Sequence, residues 1–221
     1  MNLTVLTKNY EKPPLCKKEI LRYAMCREES EQVLSLLSSC IKEAEDRLCY
    51  KVCYCIVPVK IAENTCDFGA ICVKSEKLAK NLSGCEKTVI FSATVGAHID
   101  RLIDRYSRIM PSRSLMMQAI GTERIEALCD AFCEDIKRET KMSLCPRFSP
   151  GYGDLEIFVQ REIFSLLDPP KRIGVCLNDS MLMSPSKSVT AFVGVKKGGA
   201  EEKSNKCKNC NKKDCSFRGE V

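Results

Sequence analysis

Two stretches of this 221-residue chain combine residue types at spacings that suit chemistry. The first is Arg147-Phe148-Ser149-Pro150-Gly151-Tyr152-Gly153-Asp154. Arg147 offers a planar guanidinium fork that matches a carboxylate. Pro150-Gly151 permits a sharp turn and lets backbone amides near Ser149 and Gly151 come close to a ligand. Tyr152 adds a ring face and a hydroxyl. A cationic fork, exposed amides and an aromatic ring can together hold an amino-acid head group and a nucleoside, although a Pro-Gly loop with an arginine and a tyrosine is also an ordinary surface turn. The second stretch is Cys207-Lys208-Asn209-Cys210 with Cys215 shortly after. C-x2-C spacing lets two thiolates reach one metal from a single turn, and a third ligand lies close by. Lys206, Lys208, Lys212 and Lys213 favour the thiolate forms. Three cysteines leave a tetrahedral zinc site one ligand short, which Cys176, His98, a partner residue or an exogenous ligand would complete. The same three suit an iron–sulfur cluster with an open or borrowed position, so zinc and iron–sulfur stand as alternatives.

The elements that must position these residues are readable from hydrophobic periodicity. Between Glu28 and Arg47, residues Val33, Leu36, Leu37, Cys40, Ile41 and Ala44 recur every three or four positions, which predicts a helix with one apolar face. Lys17 to Tyr23 reads as a shorter helix after the break at Pro13-Pro14, and Ser75 as the cap of a helix over Glu76 to Leu82. Cys49 to Ile61 and Thr88 to Thr94 read as strands. A helix from Ile99 to Ile109 ends at Pro111, and a long one runs from Ser114 to Lys141, where Gly121 is a candidate dent. After the loop come a helix over Leu155 to Leu167, a turn at Pro169-Pro170, and strands at Ile173 to Leu177 and Val189 to Val195. Strands and helices mix without a regular βαβ repeat. The expected fold class is therefore α+β, a single mixed domain over residues 1–197 with a small antiparallel or mixed sheet and several helices. Residues 198–221 are polar, basic and poor in aliphatic side chains, and read as a Cys-rich tail.

Composition narrows the function classes. Apolar residues make up 44% of the chain, enough for a real core, and the net charge of +6 is spread along it rather than gathered into a nucleic-acid footprint. No apolar run of membrane-spanning length occurs, and the N-terminus shows no secretory pattern. The expected location is the cytoplasm, with no nucleic acid and no membrane among its partners. There, the 16 cysteines serve mostly as reduced, small apolar residues. The one histidine, His98, comes just after Gly96 at a helix start, where a lone histidine is more often structural than a ligand.

Together with the residues downstream of it, the first stretch resembles the Arg-x-x-Pro-Gly-Tyr signature of the activation domain of cobalamin-dependent methionine synthase. A helix comes next, then Leu177-Asn178-Asp179-Ser180-Met181-Leu182-Met183-Ser184-Pro185 and Ser188-Val189-Thr190-Ala191, similar to that family's Leu-Thr-Glu-Ser, Met-x-Pro and Ser-Val-Ser runs at comparable spacing. The resemblance is strong over residues 145–195 and weaker over 85–141. It implies the activation-domain fold and binding of S-adenosylmethionine for reductive remethylation of a corrinoid. By the same resemblance, Arg147 contacts the methionine part of the ligand, Ser149 and Gly151 supply backbone contacts, Tyr152 lines the corrinoid-facing side, and Glu126 is an acidic site residue. Lys141 stands where the family has an acidic residue. No homocysteine, folate or corrinoid module is present, nor an Asp-x-His-x-x-Gly corrinoid motif. The cobalamin would therefore be carried by a partner, a corrinoid-binding methyltransferase or methionine synthase core, with a separate electron donor. The chain would be a component acting in trans rather than a complete enzyme. The alternative is a metal- or iron–sulfur-binding redox accessory protein that uses Cys207, Cys210 and Cys215.

Overall fold

Lys87–Thr94 is buried at every position after Lys87 because this strand lies at the middle of a sheet covered on both faces. The computed structural model describes residues 3–26 and 28–197. In chain order the elements are β1 (Leu6–Tyr10), α1 (Lys17–Tyr23), α2 (Glu31–Ala44), a 3-10 turn (Glu45–Arg47), β2 (Tyr50–Pro58), β3 (Lys60–Ala62), β4 (Thr65–Asp67) and β5 (Cys72–Lys74). Then come α3 (Glu76–Asn81), β6 (Lys87–Thr94), α4 (His98–Ile109), α5 (Pro111–Thr140), β7 (Ser143–Leu144), α6 (Val159–Leu167) and α7 (Pro169–Ile173). The last elements are β8 (Cys176–Leu177), β9 (Met183–Ser184) and β10 (Ser188–Lys196). The main sheet has five strands in the order β1-β2-β6-β10-β7, all pairs antiparallel. A three-stranded sheet β3-β4-β5 and the pair β8-β9 complete the strands among the described residues.

Alternation along the strands divides the core in two. Val52, Tyr54, Val89, Phe91, Ala191 and Val193 face the layer built from α1, α2, α4 and α5. Cys53, Cys55, Ile90 and Phe192 face the opposite layer, where α3, α6, α7 and the small sheet pack. This is the expected α+β domain, with helices on both faces of an antiparallel sheet. Seven of the thirteen described cysteines are buried, Cys53, Cys55 and Cys129 among them, and fill apolar positions, whereas Cys16, Cys49, Cys72 and Cys176 are exposed; all thirteen are free thiols.

Several boundaries differ from the periodicity reading for physical reasons. The first long helix begins at Glu31, because Ser30 accepts a hydrogen bond from the Val33 amide and caps it there. Pro111 ends α4 and also opens α5, since proline fits the first turn of a helix, where its missing N–H is not needed. Gly121 does not break α5. A Cβ there would lie 2.9 Å from the Lys187 side chain and 3.0 Å from Ile99, so glycine admits close packing of α4 and the start of β10. The helix expected from Leu155 begins only at Val159, Pro169-Pro170 starts the short α7 rather than a turn, and the strand expected over Ile173 to Leu177 is confined to Cys176–Leu177.

One buried charge pair fixes the N-terminal segment. Arg124 is fully buried on α5, and its Nε contacts Glu123 Oε2 at 2.6 Å. Its other nitrogens donate to the carbonyls of Pro13 at 2.7 Å and Pro14 at 2.8 Å, while Glu123 accepts the Cys16 amide at 2.9 Å. Each of these bonds satisfies a group that proline or burial would otherwise leave orphaned. Arg124→Met strands the buried Glu123 carboxylate, and should lower unfolding stability by about 3 kcal/mol in a urea titration; a loss under about 1 kcal/mol would show that the pair is not holding the segment.

Candidate functional site

The site begins where α5 ends. Lys141 adopts the left-handed conformation at the C-cap, with φ 55°, and turns the chain back toward the sheet. β7 then pairs with the end of β10, Cys145 donates its amide to the Gly194 carbonyl at 2.8 Å, and Phe148 and Phe192 exchange amide–carbonyl bonds of 2.9 and 2.8 Å. Arg147 is thus held between two backbone anchors on β10. Its side chain reaches back to α5, where Nη2 contacts Glu126 Oε2 at 2.7 Å and Nη1 pairs with Asp130. Glu126 and Asp130 are four residues apart, so they share one helix face. The guanidinium is mostly buried. Burial alone would lower its pKa, but Cys129, Asp130 and Glu126 around it raise the value above the ordinary one, and the group stays charged. Lys141, in the position where the resembled family has an acid, is exposed, and the acids at Arg147 come from α5 instead.

The loop beyond Arg147 is closed on itself. Tyr152 donates its amide to the Ser149 carbonyl at 3.1 Å, Gly151 to Leu155 at 2.9 Å, and Leu155 to Tyr152 at 3.2 Å. The Gly151 amide is therefore committed within the turn. Tyr152 is 66% exposed, and its ring meets the edge of Phe148 with 5.3 Å between centroids. Ser149 is half-buried beside the buried Pro150. The far end of the loop is fastened to α3: Asp154 accepts from the Ser75 hydroxyl at 2.6 Å and the Glu76 amide at 2.8 Å. A carboxylate at this position meets the unpaired amides of the helix N-terminus. The Ser75 hydroxyl, followed by the Lys77 and Glu76 amides, holds the Asp154 carboxyl below the usual carboxylate range. Gly153, at φ 66°, packs so near Lys77 that a Cβ would lie 2.7 Å from its Cδ.

On the other side of Glu126 and Asp130 is a groove of about 410 Å³. Pro13, Pro14 and Cys16 with Glu19 and Tyr23 of α1 form one wall, and α5 contributes Glu123, Glu126, Asp130 and Glu134 with two alanines. Arg147, Ser149, Gly151 and Tyr152 do not line it; Arg147 borders it through its two carboxylate partners. The structure thus brings Arg147 together with Glu126. Asp130, Tyr23 and the Pro13-Pro14 wall were not singled out by sequence, although the four-residue spacing of Glu126 and Asp130 was a usable signal.

The remaining candidates lie elsewhere. His98 is buried at the start of α4, its Nε2 without a hydrogen-bond partner, and burial with nearby Arg47 and Arg101 lowers its pKa. It sits as a neutral structural histidine. Cys176, a candidate fourth ligand, is exposed on β8. Cys207, Cys210 and Cys215 lie outside the described residues, among which no cluster of three or more His, Cys, Asp or Glu is placed to hold a metal. Also among the described residues, no helix is long and apolar enough to cross a membrane.

No family model matches the chain, and no curated protein matches its sequence. Its fold is shared with the crystal structure of the MetH reactivation domain bound to AdoHcy, at TM-score 0.66 and 14% identity, covering 90% of this chain and 80% of that one. The architecture is therefore that of the methionine synthase reactivation domain, the fold that the sequence resemblance implies.

The Asp154 cap has a pH signature. A depressed carboxylate pKa stabilises the folded loop above the unfolded value, and the contribution is lost as pH falls through the folded value. Loop amides over residues 147–155 should exchange hydrogen faster in Asp154→Asn than in the wild type at neutral pH. The difference should vanish well below the ordinary aspartate value of 3.8. A difference that persists in acid would mean that the carboxylate charge is not what fastens the loop.

Proposed function

We propose that this chain binds S-adenosylmethionine and presents it to a partner-borne corrinoid for reductive remethylation. The observation that carries the reading is the Arg147 guanidinium, set against Glu126 and Asp130 at the edge of an acidic groove. S-adenosylmethionine carries one carboxylate and two positive centres, its ammonium and its sulfonium. A lone arginine would suit only the first, and an acidic groove only the others. Here both signs are adjacent. Glu126 and Asp130 engage two of the guanidinium N–H groups and Cys133 contacts it as well, and the remaining N–H groups serve a ligand carboxylate. Glu126 and Asp130 then face the cationic centres, and the Tyr23 ring and Pro13-Pro14 offer an apolar wall for the nucleoside. The MetH reactivation domain, which has this fold, binds AdoHcy.

The bound ligand supplies a sulfonium methyl group, a donor strong enough to remethylate a reduced corrinoid. The protein's own residues have a positioning task. The two backbone anchors around Arg147 and the Asp154 cap hold the loop in one geometry, so little ordering remains to be done on binding. Tyr152, Phe158 and Leu182 are exposed apolar residues around this loop and the β8-β9 turn, a rim suited to a corrinoid-binding methyltransferase that docks in trans. Such a partner, with an electron donor, completes the system; the chain itself contributes no general acid or base.

Calorimetric titration tests the reading. S-adenosylmethionine should bind saturably, and both Arg147→Ala and replacement of the ligand by 5′-methylthioadenosine, which lacks the amino-acid arm and the sulfonium charge, should weaken binding by at least about tenfold. Equal affinity for the two ligands, or an unchanged affinity in Arg147→Ala, would exclude the proposed clamp.

A further inference from the structure

Three ties join the α3 segment to the loop after β7. Asp154 caps α3, Asn81 Nδ2 donates to the Pro146 carbonyl at 3.3 Å, and the thiols of Cys85 and Cys145 meet at 3.5 Å between sulfurs. The first two are hydrogen bonds. The third joins two groups that can become covalent.

The thiol pair occupies a prepared space. Cys85 and Cys145 come from segments 60 residues apart, and both are buried. Beneath them runs β10, and the residue facing them there is Gly194. A Cβ at Gly194 would lie 2.5 Å from the Cys85 sulfur and 3.1 Å from the Cys145 sulfur, so any other residue would push the thiols apart. The Cys145 amide is bonded to the Gly194 carbonyl, which fixes one sulfur over this gap. The hydrogen bond shared with Cys145, together with burial, raises the Cys85 pKa above its ordinary value. Cys145 is two residues from Arg147, so whatever fastens it also fastens the guanidinium's backbone.

We propose that Cys85 and Cys145 form a redox-sensitive pair whose oxidation to a disulfide locks the Arg147 loop to the α3 segment. In the step, two S–H bonds break and one S–S bond forms. The two electrons and two protons pass to a peroxide, which is reduced to two waters. The sulfurs close from contact distance to bonding distance, a shift that the glycine floor leaves room for. The inference stands apart from the ligand reading: the lock acts on the loop whatever the groove holds. A covalent tie between segments distant in sequence restricts local opening of the chain that leads away from its anchor, here the segment that starts at Cys145 and carries Arg147.

The test uses the full chain, reduced and then treated with hydrogen peroxide, with remaining thiols alkylated before digestion and peptide mapping. A Cys85–Cys145 cross-linked peptide is expected. In the same sample, amide exchange across residues 145–154 should slow by about tenfold relative to the reduced protein, and peroxide should leave that exchange unchanged in Cys85→Ser. If both cysteines are found separately alkylated in protein that keeps its native circular dichroism after peroxide, the pair is not redox-active. If the cross-link forms but loop exchange is the same as in the reduced chain, the lock is overturned. Both readouts come from the wild-type chain, so neither depends on the variant folding.

Discussion

A fully buried arginine organises the grooved side of this fold. Arg124 cannot remain charged inside the helical layer without partners, and the chain provides them from its own α5 neighbour Glu123 and from two proline carbonyls. Proline brings no amide of its own, so Pro13 and Pro14 can lie across a helix offering only acceptors. The exchange satisfies all parties and draws the N-terminal segment, with α1 after it, against α5. The groove exists because of this: its proline wall and its Tyr23 wall are both placed by the segment that Arg124 holds.

Across from that wall, the loop carrying Arg147 is fixed from the sheet side. Pairing at the end of β10 sets the backbone on either side of Arg147, and the guanidinium completes the link by spanning from the sheet to Glu126 and Asp130 on α5. Two arginines therefore tie different parts of the chain to one helix. Arg124 commits all its hydrogen bonds to structure. Arg147 meets Glu126, Asp130 and Cys133, lies partly open to solvent and borders a groove rich in carboxylates. That difference separates a structural ion pair from a candidate recognition site.

Much of this was legible in the sequence. The α+β class came from irregular mixing of short β-branched runs with helical periodicity, and the Ser75 cap was readable because serine before Glu76 has a direct physical role. Arg147 and Glu126 were named, and the structure brings them together. The shape of the groove was not legible. Pro13-Pro14 reads locally as a chain breaker, and only tertiary packing turns it into a wall. Nothing in the residue pattern marks Arg124 for burial, since long charged side chains are rarely buried whole. The Pro169-Pro170 helix was hidden because consecutive prolines signal a turn, although proline is well tolerated in a first helical turn. The loop's internal bonding, which commits the Gly151 amide to Leu155, depends on backbone angles that residue types alone do not fix.

On the proposed reading, the ligand is recognised where Arg147, Glu126 and Asp130 meet the proline-walled groove. Amide chemical-shift mapping during titration with S-adenosylmethionine checks this placement residue by residue. Shifts are expected to concentrate in residues 15–23 of the N-terminal wall, in residues 123–134 of α5 and in residues 146–153 of the loop. Shifts confined to other surfaces, or saturable binding that leaves α5 unperturbed, would contradict it.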